Sequence, residues 1–358
     1  MTHNSFWKGR HVLVTGHTGF VGAWLTVTLA ELGAEVTGFS LPAEDSSLYS
    51  KVEPSLRIQS IEGDIRNPHT MQRALEESNP EIVFHLAAFG FVRECFSDPQ
   101  RAFTTNVDGT LCLLEAIRRS ADVRVLVAAS SDKVYLNSDK EKARFSEDAP
   151  LGGLDPYSAS KTCEDILIQS FFNSYWREGG PSCTILRPSN ILGGGDHLIS
   201  RLIPGMFHSF RLGETPEIRN PNSIRPWQNV MDMIDAYLCA AESASGTGLR
   251  IYNVGPEESG LWTVGEIAAF VSGLYGKPYA VSKDRSEKAA PENRYLGLNT
   301  EKIRREIGWR PIRKLDDTLR EIYEFYMADD GYNTASLCVK QIRNFFLERD
   351  GMYGTLER

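Results

Sequence analysis

The fold is decided by residues 15–22, which read Thr15-Gly16-His17-Thr18-Gly19-Phe20-Val21-Gly22. They follow an apolar run at residues 11–15, and the apolar positions after them recur at helical spacing as far as Gly33. Glycines at this spacing suit a strand-to-helix turn, because they allow positive φ, close backbone approach to a ligand and tight helix packing. The helix N-terminus then offers free N–H groups and a partial positive charge to a diphosphate. These residues therefore predict a dinucleotide site formed by Gly16, Thr18, Gly19, Phe20, Val21 and Gly22.

Five further strand-like runs follow, separated by helical patterns. They lie at residues 35–39, 56–62, 81–88, 123–129 and 183–186, and the run at 81–88 is nearly all apolar, as in strands covered on both faces. Strands that alternate with helices in this way predict an α/β fold with a doubly wound parallel (Rossmann) sheet. After Arg187, Gly- and Pro-rich loops predict a smaller mixed α/β substrate domain. Residues 336–348 have the apolar spacing of a last amphipathic helix.

We expect a division into two domains. Residues 1–186, with roughly 229–256, are predicted to bind the dinucleotide, and residues 187–228 with 257–358 are predicted to bind the substrate.

The composition is that of an ordinary globular protein, with 358 residues, 41% of them hydrophobic and 24% charged. The formal charge is -8, without a basic run, which argues against nucleic acid as a partner.

The six cysteines are scattered and form no CxxC pair, which favours a reducing cytoplasm as the location of the protein. We expect no signal peptide and no membrane span, because the N-terminus soon turns polar and no apolar run approaches ~18 residues. Neither the cysteines nor the seven histidines have metal-ligand spacing, so no metal site is predicted.

The choice of dinucleotide depends on the end of the second predicted strand. No Arg or Lys lies within residues 34–50 to hold a 2′-phosphate, so the sequence favours NAD over NADP. Asp64 and Ile65, just past the third predicted strand, are candidates to contact the adenine, and a cap for a turn is an equally good interpretation.

A Tyr-x-x-x-Lys pair, Tyr157 and Lys161, begins a predicted helix, so both side chains leave the same face one turn apart. A nearby ammonium, together with a positively charged nicotinamide ring, is expected to lower the phenol pKa toward neutrality. Tyr157 is then a workable base for a sugar or alcohol hydroxyl. Ser130 and Ser131, at the end of the fifth predicted strand, strengthen this interpretation.

On these residues the sequence resembles the extended short-chain dehydrogenase/reductase family, whose Ser/Thr-Tyr-Lys triad matches Ser131, Tyr157 and Lys161. Asp132 and Lys133 stand where nucleotide-sugar 4,6-dehydratases of that family carry an acid and a base. The Asp-Lys version is similar to that of CDP-glucose 4,6-dehydratases. The resemblance covers roughly residues 6–326, and residues 219–228 are its most specific part.

The resemblance implies a closed redox cycle on a nucleotide sugar with NAD bound throughout. Tyr157, aided by Ser131, would take the 4-hydroxyl proton while hydride leaves carbon 4. Asp132 would protonate the departing 6-hydroxyl, and hydride would return to carbon 6. By position Lys133 would remove the hydrogen on carbon 5, which requires a neutral amine; alternatively Lys133 only pairs with Asp132.

Further contacts are predicted around the cofactor and the substrate. The additional cofactor contacts are Leu86, Ala87 and Ala88, besides Tyr157 and Lys161 themselves. The substrate contacts are Arg93, Asn190, Arg201, Leu202, Arg219, Arg225 and Arg294. Guanidinium groups match phosphate oxygens bidentately, although each of these arginines can also be a solvated loop residue. Two long helices, beginning after Pro99 and at Pro156, have apolar positions beyond one stripe, so we expect a homodimer, possibly a tetramer.

Two alternatives stay open. An epimerase or decarboxylase acting on a nucleotide sugar would use the same Ser131, Tyr157 and Lys161, but would not need Asp132 and Lys133 as an acid–base pair. A dinucleotide-binding regulator without catalysis would be expected to have lost the triad, which is intact.

Overall fold

A computed structural model describes residues 3–137, 144–257, 261–282, 295–329, 331 and 333–356. Its strands are β1 (His11–Thr15), β2 (Glu35–Ser40), β3 (Gln59–Glu62), β4 (Ile82–His85), β5 (Val125–Ala129), β6 (Arg144–Phe145), β7 (Ser182–Pro188), β8 (Asn190–Leu192), β9 (Glu217–Ile218), β10 (Ile224–Asn229), β11 (Leu249–Val254), β12 (Leu261–Thr263), β13 (Ala280–Val281) and β14 (Gly297–Leu298). Its α-helices are α1 (His3–Trp7), α2 (Phe20–Glu31), α3 (Leu48–Val52), α4 (Pro68–Ser78), α5 (Val92–Ser97), α6 (Pro99–Phe103), α7 (Gly109–Arg119), α8 (Pro156–Phe171), α9 (Leu202–Arg211), α10 (Val230–Glu242), α11 (Val264–Tyr275), α12 (Glu301–Ile307), α13 (Leu315–Ala328) and α14 (Thr334–Leu356).

Seven strands form one parallel sheet in the order β11-β7-β5-β4-β1-β2-β3. The chain builds outward from β1 to β3 and then starts again on the other side of β1 with β4, which creates a topological switch point between β1 and β4. Ligands of such sheets bind beyond the carboxyl ends of the strands at that point. The predicted doubly wound fold is confirmed. The seventh strand, β11, is an addition, since the sequence pattern indicated only six.

Both faces of this sheet are covered. Along β1, Val12 and Val14 pack in one core with Trp24 of α2, whereas Leu13 packs in a second core with Leu113 of α7. Alternate side chains of a strand point to opposite faces, so an apolar run such as β1 buries both faces at once. The helices are therefore divided between the two sides of the sheet, as a doubly wound fold requires.

The smaller part of the molecule is built around a three-stranded sheet in the order β12-β10-β8. Strands β10 and β8 are parallel and β10 and β12 are antiparallel, so this sheet is mixed. Helices α9, α11 and α13 cover it and share a core that includes Phe207, Phe210, Ile267 and Leu319. The predicted smaller mixed α/β part is present, with more regular structure than its Gly- and Pro-rich loops indicated.

Three elements differ from their predicted bounds. The third strand starts at Gln59 rather than at residue 56, because a 3-10 turn (Glu53–Ser55) precedes it. The long helix predicted after Pro99 is α6 and α7 joined by one wide π turn, Thr104–Asp108. The C-terminal helix, predicted at residues 336–348, extends to Leu356, and its buried side chains join the core of the large sheet. In the described part of the chain, no helix has the length and apolar character needed to cross a bilayer.

Candidate active site

The glycine turn after β1 is packed so tightly that side chains are excluded. Gly16 has φ of +77°, and a Cβ there would lie 2.6 Å from the backbone nitrogen of Ala87. At Gly22 a Cβ would lie 2.1 Å from the carbonyl oxygen of Gly16. Helix α2 then begins at Phe20, and its N-cap residue Gly19 makes no side-chain capping bond. This geometry fits a dinucleotide diphosphate, because bare backbone and the N–H groups of α2 face the same turn.

Side chains beside the turn connect it to the neighbouring strands. The Thr18 hydroxyl lies 2.7 Å from the Ser40 hydroxyl at the end of β2, and the buried His17 imidazole lies 2.8 Å from the Ser60 hydroxyl. Burial lowers the pKa of His17 to about 4, so the ring is neutral at physiological pH. A Cβ on Gly38 would lie 2.3 Å from that ring, which explains a glycine inside strand β2.

The other predicted cofactor residues lie in two places. The backbone of Leu86 and Ala87 donates hydrogen bonds to Thr15, so the segment with Ala88 borders the glycine turn. The Asp64 carboxylate instead accepts hydrogen bonds from the backbone and guanidinium of Arg66, which lower its pKa. This is the turn-capping interpretation, and a contact of Asp64 with adenine stays a prediction. Ile65 is buried.

Helix α8 brings the predicted catalytic tyrosine to the end of β5. The Asp155 carboxylate caps the helix by accepting from the backbone N–H of Ser158, and Pro156 occupies the first turn. Gly153 lets the preceding loop touch the helix, since a Cβ there would lie 2.1 Å from the carbonyl carbon of Ser158. The first turn of α8, which carries Tyr157, is thereby fixed.

Ser131 and Asp132 follow β5 and lie next to this phenol. The Ser131 hydroxyl lowers the pKa of Tyr157 and donates to an Asp132 carboxylate oxygen at 3.3 Å. Asp132 is 2% exposed, and within the described residues its Oδ2 has no hydrogen-bond partner. Burial raises its pKa to about 6, against the opposing effects of Lys133, Ser131 and Arg225. A buried carboxyl with this pKa is suited to donate a proton near neutrality. Lys133 is half-buried, and its charge acts on Asp132, which fits both interpretations of its role.

Two partners hold the side chain of Lys161, which lies one helical turn after Tyr157 on α8. The Lys161 ammonium donates to the carbonyl oxygen of Ala129 at 2.7 Å and lies 2.5 Å from the Glu164 carboxylate. In the chain alone, burial raises the pKa of Tyr157 well above its usual value, opposed by the Ser131 hydrogen bond and by the Arg201 charge. A lowered Tyr157 pKa is a prediction for the chain with a positively charged nicotinamide bound.

Glu164 is the residue of this site that the sequence analysis missed. It lies three positions after Lys161 in the same helix, a spacing that places both side chains on one face and could have revealed it. His85 is a satisfied core residue, since its ring nitrogens contact the hydroxyls of Thr15 and Thr110, each at 2.8 Å. Cys163, one residue before Glu164 on α8, is exposed.

The predicted substrate residues are only partly gathered around the phenol. Arg201, at the start of α9, pairs with Asp196 and lies 5.6 Å above the Phe91 ring. Arg225 of β10 is buried, and its charge acts on Asp132. Of the remaining predicted residues, Asn190 starts β8 and Leu202 starts α9. Arg93 and Arg219 are exposed. Arg294 lies outside the described residues.

A Rossmann sheet, a glycine turn that fits a diphosphate and a Ser-Tyr-Lys constellation together define an oxidoreductase-type, dinucleotide-dependent enzyme. A family model described as the NAD dependent epimerase/dehydratase family matches residues 12–255. The chain belongs to this family, and the prediction of NAD as the cofactor is confirmed.

Three similar proteins place the chain within that family. It is 36% identical over 337 residues to a CDP-glucose 4,6-dehydratase of Salmonella typhimurium, covering 92% of this chain and 93% of the relative. It is 29% identical to a UDP-glucose 4-epimerase of Mycolicibacterium smegmatis, covering 88% of this chain and 97% of the relative. A solved structure of MoeE5 with UDP-glucose and NAD has a TM-score of 0.75 at 25% identity, covering 88% of this chain and 98% of that one. These similarities establish the fold and the class of enzyme.

Proposed function

We propose that this protein is a nucleotide-sugar 4,6-dehydratase that converts CDP-glucose, or a close analogue, to the 4-keto-6-deoxy sugar while its bound NAD is recycled. Similarity to a CDP-glucose 4,6-dehydratase over nearly the whole of both chains supports this choice of substrate. The two residues that follow Ser131 support the choice of reaction.

The observation that carries the proposal is the state of Asp132. Elimination of the 6-hydroxyl needs a proton donor beside the group that oxidises carbon 4. Asp132 lies one residue from Ser131, is buried, and has a pKa of about 6, so it retains protons in a range where an ordinary aspartate has none. An epimerase would have no leaving hydroxyl to protonate.

The steps follow from the positions of these side chains. Bound NAD supplies a reversible store for one hydride, taken from carbon 4 of the sugar and returned to carbon 6. Tyr157 accepts the proton of the 4-hydroxyl, and the Ser131 hydroxyl, which lowers the pKa of the phenol, orients the same oxygen. The ketone so formed acidifies the hydrogen on carbon 5. Asp132 donates a proton as the 6-hydroxyl leaves as water.

The base for carbon 5 is Lys133 in this proposal: it takes the carbon 5 proton as water leaves and returns it to carbon 5 when hydride adds to carbon 6. It follows Asp132 in a short 3-10 turn, Asp132–Val134, capped by the Ser131 hydroxyl, so acid and base stay at a fixed separation. A structural ion pair of Lys133 with Asp132 is the competing interpretation, and a substitution separates the two, as described in the Discussion.

An epimerase or decarboxylase of the same fold is the second candidate. The similarity to a UDP-glucose 4-epimerase favours it, because the Ser131, Tyr157 and Lys161 constellation serves that reaction as well. It gives no role to Asp132 as an acid.

We also propose roles for the other residues predicted to contact the cofactor and the substrate. Residues 16–22, 64–65 and 86–88 would hold NAD, and Arg201 and Arg225 are the arginines best placed for a substrate diphosphate. The domain division at residues 186, 228 and 256 follows from the same roles.

A homodimer would use the outer faces of α7 and α8, where Leu111 and Ile166 are 39% and 51% exposed. A cytoplasmic location stays a prediction.

The test is incubation of the purified protein with CDP-, dTDP-, UDP- and GDP-glucose in turn. We expect the 4-keto-6-deoxy product, seen by its absorbance in alkali, and fastest formation with the CDP sugar. Formation of a 4-epimer or a pentose alone would refute the dehydratase proposal and support the second candidate.

A further inference from the structure

A buried carboxylate lies against the lysine of the active site. The Glu164 and Lys161 side chains are 1% and 3% exposed, and the distance from Oε2 to Nζ is 2.5 Å. The contact is a close ion pair between two buried side chains. A buried carboxylate is costly unless it is paired, so this position is unusual for a group without a function.

The groups around Glu164 leave Lys161 as its charged partner. His85 of β4 lies 3.9 Å away, but burial lowers the pKa of its imidazole to about 3, so the ring is neutral. The next residue, Asp165, is paired with Arg187 at 2.9 Å and repels Glu164 rather than compensating it. The Glu164 charge also contributes to the raised pKa of the Tyr237 phenol on α10.

The charge of Glu164 affects the pKa of the Tyr157 phenol. An ammonium activates a neighbouring phenol by stabilising the phenolate. An ionised Glu164 compensates the Lys161 ammonium and, by its own charge, raises the pKa of Tyr157. A protonated Glu164 does neither. Burial raises the pKa of Glu164 to about 7, so both states are populated near neutral pH.

We propose that Glu164 is a positioning residue: its carboxylate fixes the Lys161 ammonium on helix α8, and its protonation state sets how strongly that ammonium acts on Tyr157. This inference rests on the proposed role of Tyr157 as the proton acceptor in hydride transfer. It adds to that function a control of the pH range in which the first step is fast.

Two interacting groups lose their protons in steps that belong to the pair. Ionisation of Glu164 makes the phenol harder to deprotonate, so proton release by Tyr157 is spread over a wider pH range than one isolated group would show. Substitution by glutamine keeps the size and polarity of the side chain and removes its charge. The phenol should then titrate as a single group at lower pH.

The experiment compares the NAD-bound wild-type protein with Glu164→Gln. The phenolate of Tyr157 is followed by its ultraviolet absorbance, as the difference between each protein and the same protein carrying Tyr157→Phe. We expect Glu164→Gln to lower the apparent pKa of Tyr157 by about one unit and to steepen the titration. The acid limb of single-turnover hydride transfer should move by the same amount. Glu178→Gln, which removes the same charge from an exposed position, is the matched control and should change neither curve.

Superimposable titrations for wild type and Glu164→Gln would overturn the inference. If Glu164→Gln does not fold, the wild-type curve decides alone: a spread titration supports the coupling and a single-group curve overturns it. The phenolate titration needs no turnover, so it is separate from the proposed function, whose own failure is the lack of a 4-keto-6-deoxy product from the wild-type protein.

Discussion

Replacing Asp132 by asparagine is expected to stop dehydration while leaving the preceding oxidation of the sugar in place. The amide has nearly the shape of the carboxyl but donates no proton to a leaving hydroxyl. Tyr157, which accepts the 4-hydroxyl proton, is unchanged in the variant. The bound cofactor should therefore become reduced on addition of CDP-glucose and stay reduced.

The magnitude follows from the burial of Asp132. With a pKa of about 6 instead of 3.8, roughly one carboxyl in ten is protonated at about pH 7, against roughly one in 1,600 for an ordinary aspartate, a gain of about 140-fold in active acid. Loss of a general acid lowers a rate by about 10²- to 10⁴-fold. In the wild-type protein, elimination should slow about tenfold per pH unit above about pH 6, because the protonated form is the active one.

The same substitution should stabilise the fold. The pKa of Asp132 is raised in the folded protein, so the folded state binds more protons than the unfolded state between about pH 4 and about pH 6, and wild-type stability falls as pH rises through that window. A shift of this size corresponds to about 3 kcal/mol as an upper limit. Asparagine has no such loss, so the variant should exceed the wild type above about pH 6 and match it below about pH 4.

Two measurements check this pair of effects: absorbance of the reduced cofactor in a single turnover, and denaturant unfolding at low and neutral pH. Normal product formation by Asp132→Asn would refute its role as the acid. Equal stability of the two proteins at neutral pH would refute the burial argument, whatever the activity. Lost activity together with lost stability would show a structural role only.

Three further substitutions separate the other roles. Tyr157→Phe should abolish reduction of bound NAD by the sugar, with NAD binding retained by equilibrium dialysis; a reduced cofactor in this variant would contradict its role as the base. Lys133→Ala should still reduce bound NAD but stall before water leaves, without exchange of the carbon 5 hydrogen with deuterated solvent, and normal turnover would show that Lys133 only pairs with Asp132. Gly22→Ala should abolish retention of NAD, because its Cβ would lie 2.1 Å from the carbonyl oxygen of Gly16, whereas Gly273→Ala on α11, where nothing lies within 4 Å, should bind NAD normally.

Local patterns predicted the large sheet well because six of its seven strands carry their own signal. The run at β1 is apolar at successive positions and is followed by glycines whose spacing matches the turn the structure contains. Strand β11 lacked such a signal, since Leu249, Arg250 and Ile251 are only half-buried at the sheet edge. An edge strand is specified by its partner, here β7, rather than by its own pattern.

The catalytic positions were predictable for a similar reason, and their electrostatics were not. Helical spacing alone places Tyr157 and Lys161 on one face of α8. The raised pKa of Asp132 depends instead on burial in the folded chain, and Arg225, distant in sequence on β10, acts against it. Asp64 shows the limit of a local rule: the position was found, but its carboxylate is used by Arg66 two residues later.

Two buried carboxyls near the phenol have raised pKa values, and their surroundings give them different roles. Asp132 has an oxygen without a hydrogen-bond partner in the described chain, so its proton is available to a substrate. Glu164 lies against the Lys161 ammonium below the phenol, so its proton changes the charge that Tyr157 experiences. Protonation of Asp132 favours elimination, and protonation of Glu164 favours the earlier oxidation, so mildly acidic solution assists both steps until Tyr157 itself retains its proton. The pH optimum of the reaction should therefore be set by three coupled groups. Removal of the Glu164 charge should widen it on the acid side, where the first step depends on the Tyr157 phenolate, without moving the fall in elimination set by Asp132.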